Sequence, residues 1–436
     1  MLPRRDLAAP ASPWHGRCDG DDRAESRFDA AETAPRVETS LQDARRTGAA
    51  AVPTLRLAAA GFVATAIAFG PARMGFGLFL PAFREDFALS TTLAGLVASG
   101  GFLAFLLALP LTAWLATRIG QRAPVVAGAL SATAGFTLVA VASGSTALAA
   151  GIALAGASAG FCWAPFNDAA ERVVPPVARA GALSAVSTGT TLGVAAAGAL
   201  ALGVTFGAFE WRTAWGVFAA AGVVAALAAA VGVPGGRRDA RGGGAGRRLV
   251  DREALPLYGA ALLFGATNAV YLSFAADRVV AAGGLPGLPD DGASAVVFLA
   301  YGGCGLVGLA TGRIEARVGL AALLAAIFTA FAASLALVAL APGSWPGVVV
   351  SAGLHGAAVM TISAVLSFWS LRLFPGRGSL GFTAALVAAA TGSVLGPASA
   401  GPLVEAIGPR AAFATLALPP LAVAFAFAAR AARVRS

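Results

Sequence analysis

Lysine is absent from this sequence of 436 residues, and charge of either sign is scarce. Only 12% of the residues are charged, about half the share of an average soluble domain, while 58% are hydrophobic. The net charge of +9 comes from arginines that lie singly or in pairs between apolar segments, which excludes a basic nucleic-acid-binding domain. Lipid rather than water is therefore the expected surrounding of most of the chain.

Cysteine is scarce as well, and the motifs of soluble enzymes are missing. Cys18, Cys162 and Cys304 show no metal or disulfide spacing, and two of them lie in apolar runs, where a thiol is a small apolar filler. Without lysine, no glycine-rich phosphate loop can end in Gly-Lys. We therefore expect no enzyme activity, no metal and no cofactor.

The first 54 residues have no apolar period. Eight arginines and nine acids are scattered among Ala, Ser, Thr and Pro, without the apolar core of a signal peptide. Such a segment cannot bury enough surface to fold alone. We predict a disordered cytoplasmic tail over residues 1–54.

Apolar runs of membrane-crossing length fill the rest of the chain. About 20 residues at 1.5 Å each are needed to cross the hydrocarbon of a bilayer. We predict an all-α membrane protein with twelve such segments, numbered 1 to 12: 55–80, 91–115, 123–142, 146–168, 182–206, 212–233, 255–276, 293–314, 319–341, 346–369, 380–403 and 410–430.

Arginine placement gives the expected orientation. The breaks after segments 2, 4, 6, 8 and 10 and the C-terminal end hold 17 arginines, whereas the odd-numbered breaks hold only Arg84, Arg212, Arg278 and Arg410. Because cytoplasmic loops carry the excess of positive charge, both termini and a linker at 234–254 are expected in the cytoplasm. The sequence predicts a multi-pass protein of the cell membrane.

The two halves on either side of the linker repeat each other. Thr112, Arg118 and Gly120, after segment 2, recur 199 positions later after segment 8. The repeat predicts two pseudo-symmetric six-helix bundles, at 55–233 and 255–431, with a short tail at 432–436. An internal repeat of this kind places a substrate site at the membrane midplane, between the halves.

The loop after segment 2 reads Leu115-Ala116-Thr117-Arg118-Ile119-Gly120-Gln121-Arg122. It resembles the signature Gly-x-Leu-Ala-Asp-Arg-x-Gly-Arg-Arg of the major facilitator superfamily, and the resemblance covers roughly Leu55 to Arg430. It implies secondary transport by alternating access, with this loop locking the cytoplasmic side through a charge relay. Thr117 replaces the Asp of the signature, so the lock must be weaker or built differently.

Charged residues near the loop are candidates for a cytoplasmic gate. By the resemblance, Arg118 and Arg122 belong to the lock, while Glu315 and Arg317 stand at the equivalent place of the second half. In addition, Asp168 and Glu171, at the end of segment 4, are expected to pair with Arg172 or Arg118.

Two further comparisons bear on the substrate. The stretch from Met74 to Asp86 is similar to helix one and its following loop in monocarboxylate and oxalate/formate-type carriers. Drug/proton antiporters of the superfamily carry a Gly-Pro motif in helix five, but here Val194 follows Gly193. These features imply a carrier of carboxylates and argue against drug efflux.

Arg73, inside segment 1, is the main candidate for substrate binding. A cation at that depth is costly and should face the bundle interior or an aqueous cavity, where its planar fork suits a carboxylate. Gly70 and Gly77 lie on the same helical face and are expected to leave room for the ligand. The structural alternatives are an ion pair with Asp277 or Asp168, or a side chain that reaches the outer surface.

The second half offers further polar candidates. Phe264-Gly265 repeats Phe69-Gly70, which places Asn268 opposite Arg73, with Tyr271 one turn further on. Either binds substrate or makes a structural hydrogen bond. His355 is the only histidine in the membrane region, and its ordinary pKa of about 6.5 suits proton coupling, although a packed histidine is the alternative. Asp277 is a second proton candidate, with an outer gate or a surface pair with Arg278 as the alternatives.

The sequence therefore predicts a monomeric secondary active transporter that moves a small, monocarboxylate-like organic anion with protons. One alternative is an exporter of a hydrophobic compound, like the drug/proton antiporters, with a cavity of Phe, Leu and Met and with Arg73 in an internal salt bridge. Another is a non-transporting membrane sensor or scaffold. An open polar cavity would favour a carrier, and a collapsed one a scaffold.

Overall fold

Helices account for almost all of the chain that the structure, a computed structural model, describes: residues 34–236, 251–289, 292–374 and 378–435. Twelve helical stretches in this part are long and apolar enough to cross a membrane, as predicted. They are spans 1 to 12: Val52–Leu78, Thr91–Ile119, Arg122–Ala140, Ser145–Val173, Pro176–Thr205, Trp211–Gly232, Leu255–Ala281, Gly292–Val318, Leu320–Leu340, Trp345–Leu373, Gly381–Ile407 and Pro409–Arg433. Each overlaps the predicted segment of the same number.

The expected tails differ from the structure where it describes them. A helix, Ala34–Phe69, begins inside the tail that was expected to be disordered through residue 54, because Ala and Arg, both helix formers, are frequent in this stretch. The last helix, Leu418–Arg435, likewise runs into the expected C-terminal tail. Residues 1–33 of the expected tail and 237–250 of the linker lie outside the described residues. The chain divides into compact units at 1–49 and 50–436, and every site below lies in the second.

Span 1 is broken just before Arg73. Its first helix ends at Phe69, and a short helix, Pro71–Leu78, follows Gly70. Pro71 has no backbone N–H to continue the hydrogen-bond ladder, and it occupies the first helical position, where none is needed. A further break at Phe79 separates the helix Leu80–Phe87. Arg73 therefore lies on a two-turn helix with an interruption at each end.

The structure shows the internal repeat in its backbone. Spans 2 and 8 end at Gly120 and Gly319, whose φ angles of +89° and +82° are in the region that favours glycine. Span 5 packs on span 1 with Gly193 against the carbonyl of Ala66, and span 11 packs on span 7 in the same way. Small residues allow this close approach of helices within a membrane.

The two halves meet through spans 2 and 11 and through spans 5 and 8. We call the face that holds the odd-numbered breaks the Arg-poor face, and the opposite face the Arg-rich face. Toward the Arg-poor face, Gly95 of span 2 packs on the carbonyl of Pro397, and the Ser99 hydroxyl donates to the Val394 carbonyl at 2.8 Å. Near the midplane, Gly302 of span 8 packs on Thr191 of span 5.

An aromatic cluster fills the first half near the Arg-poor face. The ring of Trp215 is fully buried and lies 5.7–5.9 Å, between centroids, from the rings of Phe79, Phe83, Phe136 and Phe218. Aromatic pairs at these separations contribute about 0.5–1.5 kcal/mol each beyond burial. The cluster joins the end of span 1 to spans 3 and 6.

Candidate functional site

Arg73 is half-buried and surrounded by aromatic faces. Its guanidinium carbon lies 4.8 Å from the ring centroid of Phe105, 5.3 Å from that of Phe102 and 5.8 Å from that of Phe69. Each such contact contributes about 0.5–2 kcal/mol. No carboxylate pairs with this guanidinium in the part of the chain that the structure describes.

Asp277 and Asp168, the two acids considered as ion-pair partners of Arg73, both have other partners. Asp277 forms an ion pair with Arg84 at 2.8 Å, and the Asp168 carboxylate accepts from the Gln121 amide at 3.0 Å. Among the described residues, the positive charge of Arg73 is therefore balanced by the quadrupoles of the surrounding rings.

A small cavity adjoins Arg73 where the halves meet. It is lined by spans 1, 2, 4 and 7, including Phe76, Phe102, Ile152 and Ser273, and its volume is about 20 Å³. That is room for about one water, whereas ligand pockets measure about 300–1,000 Å³. The lining is mainly apolar. A volume this small matches the collapsed cavity expected of a scaffold, or a carrier closed around an empty site.

Gly70 and Gly77 do not leave the room that the sequence analysis expects. The position a side chain would take at Gly70 is filled by the backbone of Gly193, and that at Gly77 by the backbone oxygen of Leu272. Spacing along one helix shows which residues share a face, but not that a neighbouring helix fills it. Gly70 joins spans 1 and 5, and Gly77 joins the two halves.

The polar candidates of the second half are buried in two hydrogen-bonded groups. The Tyr301 hydroxyl of span 8 donates to the Asn268 amide oxygen at 3.1 Å. The Tyr271 hydroxyl lies 3.0 Å from the Ser351 oxygen, and Ser351 in turn donates to the Ser334 carbonyl at 2.8 Å. Because the proton of Ser351 is used in that second bond, Tyr271 is the donor in the first.

His355 lies at the centre of the second group. Its ring stacks on that of Tyr271 with centroids 3.8 Å apart, and its Nδ1 lies 2.7 Å from the Ser334 hydroxyl. That hydroxyl donates to the Phe331 carbonyl at 2.9 Å, so it accepts from Nδ1–H. The neutral ring then carries its lone pair on Nε2, which is buried without a partner among the described residues. That nitrogen can bind a proton.

Sequence reasoning missed Tyr301, Ser334 and Ser351. Serines in apolar spans usually bond to their own helix, so they give no signal by themselves. Tyrosine gives one, because the chain has only three and two of them, Tyr271 and Tyr301, are completely enclosed. A buried tyrosine in an apolar run needs a partner for its hydroxyl.

Removing the Ser334 hydroxyl is expected to destabilise the second half. The variant Ser334→Ala leaves Nδ1–H of His355 unpaired in a dry environment, which costs about 1–3 kcal/mol. Ser363→Ala is the matched control, since that exposed hydroxyl bonds only to its own helix, at the Val359 carbonyl. Thermal unfolding of the detergent-purified proteins measures the difference, and equal stability of the two variants contradicts the assignment.

Polar contacts close the two halves together at the Arg-poor face. Arg84, after span 1, pairs with Asp277 of span 7. The backbone N–H and hydroxyl of Thr92 in span 2 donate to the two carboxylate oxygens of Glu405 in span 11 at 2.8 and 2.6 Å. Asp277 therefore lies in a contact between the two halves.

The expected gate residues at the Arg-rich face have other partners in the first half. The Arg118 guanidinium lies over the Trp114 ring, 5.6 Å from its centroid, instead of against Asp168. Arg122 donates to the Val233 carbonyl at 2.8 Å. Arg172 donates to the carbonyls of Gly235 and Gly236 at 3.1 Å, so it joins span 4 to the linker. Arg118 and Arg172 thus contact other groups than the acids of span 4 that were expected as their partners, and Glu171 is exposed at the end of that span.

In the second half, Glu315 pairs with Arg372 of span 10 instead of with the loop. Two parallel bonds of 2.8 and 3.0 Å join the guanidinium to the carboxylate. Arg317 is exposed beside this pair. The Glu315 carboxylate thus joins spans 8 and 10 within one half.

A sequence model of the Major Facilitator Superfamily matches residues 61–276, from span 1 to span 7. The chain has the major facilitator fold, and its sequence matches that superfamily over 216 of its 436 residues. Solved structures with the same fold include that of the nucleoside transporter NupG, with a TM-score of 0.66 and 15% identity over 86% of this chain and 98% of that one. The structure of the peptide transporter POT in complex with sulfate has a TM-score of 0.69 and 14% identity, over 88% of this chain and 94% of that one. No curated protein sequence matches the chain.

A third solved structure with this fold is that of a bacterial homologue of the human lysosomal transporter Spinster, in an inward-facing and unoccupied conformation. It has a TM-score of 0.63 and 17% identity, over 88% of this chain and 97% of that one. At these identities the likeness shows the fold alone.

Replacing Asp277 with asparagine is expected to weaken the contact that holds the two halves together at the Arg-poor face. The side chains of Arg84 and Asp277 are 26% and 17% exposed. The cost of breaking this pair is therefore expected between that of a surface ion pair, up to about 1 kcal/mol, and that of a buried one, about 3–5 kcal/mol. We expect the open population to rise about tenfold. Spin-label distances between cysteines placed at exposed Glu85 and Ala282 measure it.

The variant Asp86→Asn is the matched control for this prediction. It removes the same charge on the same face, but its partner Arg212 lies in the same half, at 2.8 Å. An equal shift in both variants would show that net charge, not the ion pair, controls the opening.

Proposed function

We propose that this chain is a secondary active carrier of small, monocarboxylate-like organic anions, working by alternating access and coupled to protons. The observation that supports this most is the Arg73 guanidinium, which lies beside a cavity between the halves with no acidic partner among the described residues. A cation inside a membrane protein marks a substrate or ion pathway. An anionic ligand supplies the charge that the surrounding rings lack.

The surroundings of Arg73 favour a carboxylate with a short apolar body. The guanidinium offers a planar fork that binds a carboxylate bidentately. Beside it, the rings of Phe76 and Phe102 and the side chain of Ile152 provide an apolar wall, while Ser273 of the second half provides a hydroxyl. An acid of this kind contacts both halves at once.

Closing contacts at one face fit a carrier that opens alternately. The halves are joined from the midplane to the Arg-poor face through Gly302, Ser99, Thr92 and Arg84. Because cytoplasmic loops carry the excess of arginine, we place the Arg-rich face and both termini in the cytoplasm. The Arg-poor face is then on the outer side of the cell membrane. The site must widen to admit substrate, which requires the halves to move apart.

His355 is the proposed proton site. Its Nε2 lone pair faces no donor among the described residues, and its ring stacks on Tyr271, one turn from Asn268. Protonation there would place a second positive charge near the anion site and favour anion binding at low pH. Coupling of this kind gives symport.

Binding to the purified protein tests this proposal. A panel of small carboxylates and of neutral and cationic apolar compounds is compared by thermal shift at one pH below and one above neutrality. Stabilisation by a carboxylate, stronger at the lower pH, is the expected result. In a His355→Gln protein, that pH dependence should disappear while binding remains.

Two observations favour other functions. The aromatic lining by Phe76, Phe102 and Phe105 is what an exporter of hydrophobic compounds requires. Stabilisation only by apolar or cationic compounds would assign that function and make Arg73 structural. The cavity of about 20 Å³ is what a sensor or scaffold requires. Absence of any flux in proteoliposomes, for every compound that binds, would assign that one.

A further inference from the structure

A second and larger cavity, of about 480 Å³, opens at the Arg-rich face among spans 7, 9, 10 and 12. Its interior is apolar, with Leu324 and Trp369 buried and Phe427 half-buried. The exposed Arg252 and Arg430 lie at its rim. We call it the Arg-rim groove. It shares no residue with the cavity at Arg73.

The groove lies at the depth of lipid headgroups. Leu320 is the first residue of span 9, Leu373 is the last of span 10, and Arg252 precedes span 7. Helix ends of this kind mark the boundary between hydrocarbon and water. Trp369, whose ring contacts that of Phe427 at 6.1 Å, is of the residue type that favours this boundary.

The rim of the groove is positively charged, and its two arginines have no bonding partner among the described residues. Arg252 and Arg430 make no hydrogen bond or ion pair with another described residue. Glu253 also lines the groove, so the three charged residues leave a net charge of +1. Guanidinium groups without acidic partners at a membrane surface attract anionic headgroups, at about 1 kcal/mol each.

We propose that the Arg-rim groove binds an anionic phospholipid. The phosphate lies between Arg252 and Arg430, and an acyl chain packs on Leu324, Trp369 and Phe427. A groove with an apolar interior and a basic rim matches a molecule that is apolar at one end and anionic at the other. The volume of about 480 Å³ is in the range of sites that enclose a small ligand or part of a lipid.

Charge disfavours the chain's own linker as the occupant. Residues 237–250 contain Arg237, Arg238, Arg241, Arg247 and Arg248 but only one acid, Asp239. That net charge of +4 is repelled by a basic rim. An anionic lipid has the opposite charge and is abundant where the groove opens, if the Arg-rich face is cytoplasmic.

Native mass spectrometry of the full-length, delipidated protein tests the proposal. The protein is titrated with phosphatidylglycerol, with phosphatidylcholine of the same chains, and with inorganic phosphate. Phosphatidylglycerol is expected to bind most tightly, and phosphate alone not measurably. The double variant Arg252→Ala/Arg430→Ala should bind phosphatidylglycerol about 25-fold more weakly, about fivefold for each arginine.

The control removes the same charge elsewhere on the same face. Arg56 and Arg313 are exposed there and lie outside the groove, so Arg56→Ala/Arg313→Ala should keep its affinity for phosphatidylglycerol within about twofold. Equal loss in both double variants, equal binding of the two lipids, or binding of phosphate as tight as that of lipid would each overturn the proposal.

Discussion

Replacing Arg73 with alanine is expected to lower uptake of a carboxylate substrate by about 100-fold, because two charge-assisted hydrogen bonds of about 1.5 kcal/mol each are lost. The variant also removes a cation that the rings of Phe69, Phe102 and Phe105 only partly compensate. The protein should therefore fold and reach the membrane at least as well as the parent. Flux into proteoliposomes, normalised to inserted protein, measures the effect.

The variant Arg73→Lys separates charge from geometry. Lysine keeps the positive charge but presents a single point donor in place of the planar fork. Intermediate uptake, with weaker binding and a similar maximal rate, is expected. If Arg73→Ala carries the substrate as fast as the parent, Arg73 is structural and the anion proposal fails.

Adding one methyl group at Gly77 is expected to prevent closure at the Arg-poor face. A side chain there overlaps the backbone oxygen of Leu272 in the other half, so spans 1 and 7 must separate. Overpacking of this kind costs about 1–3 kcal/mol, which shifts the equilibrium about 5- to 150-fold toward the open state. In a background without native cysteines, a Ser273→Cys residue beside the cavity should react faster with a membrane-impermeant thiol reagent.

The matched control for Gly77→Ala is Gly100→Ala. Gly100 lies on span 2 in the same half, and nothing lies within 4 Å of the position its side chain would take. Its labelling rate should match the parent's. Slow labelling in Gly77→Ala, equal to that of Gly100→Ala, would show that the contact with Leu272 adjusts without moving the halves.

The fold was largely readable from the sequence because lipid imposes simple rules. Run length predicted all twelve spans, and the repeat at Thr112, Arg118 and Gly120 predicted two bundles. The helix at Ala34 was missed, since a polar helix has no apolar period to detect. Periodicity reports burial against a neighbour, not helicity itself.

The sequence indicated which residues are candidates for the site, but it did not predict which residues contact each other there. The rarity of charge in apolar runs pointed to Arg73, and rare polar groups pointed to Asn268, Tyr271 and His355. What the sequence could not give was partner choice between distant spans. The contact of Tyr271 with Ser351 joins residues 80 positions apart, and the Arg84–Asp277 pair joins residues still further apart.

The aromatic rings around Arg73 come mainly from a different span, and this affects how the protein is inserted into the membrane during synthesis. Span 1 by itself contains Arg73, two prolines and a break, and an arginine within a span costs up to about 2.5–3.5 kcal/mol on insertion, the figure for the centre of the helix. Two of the three rings that cover the guanidinium, Phe102 and Phe105, come from span 2, which is synthesised next. Spans 1 and 2 are therefore expected to leave the translocon as a pair, with the second span completing a solvation shell that the first one lacks.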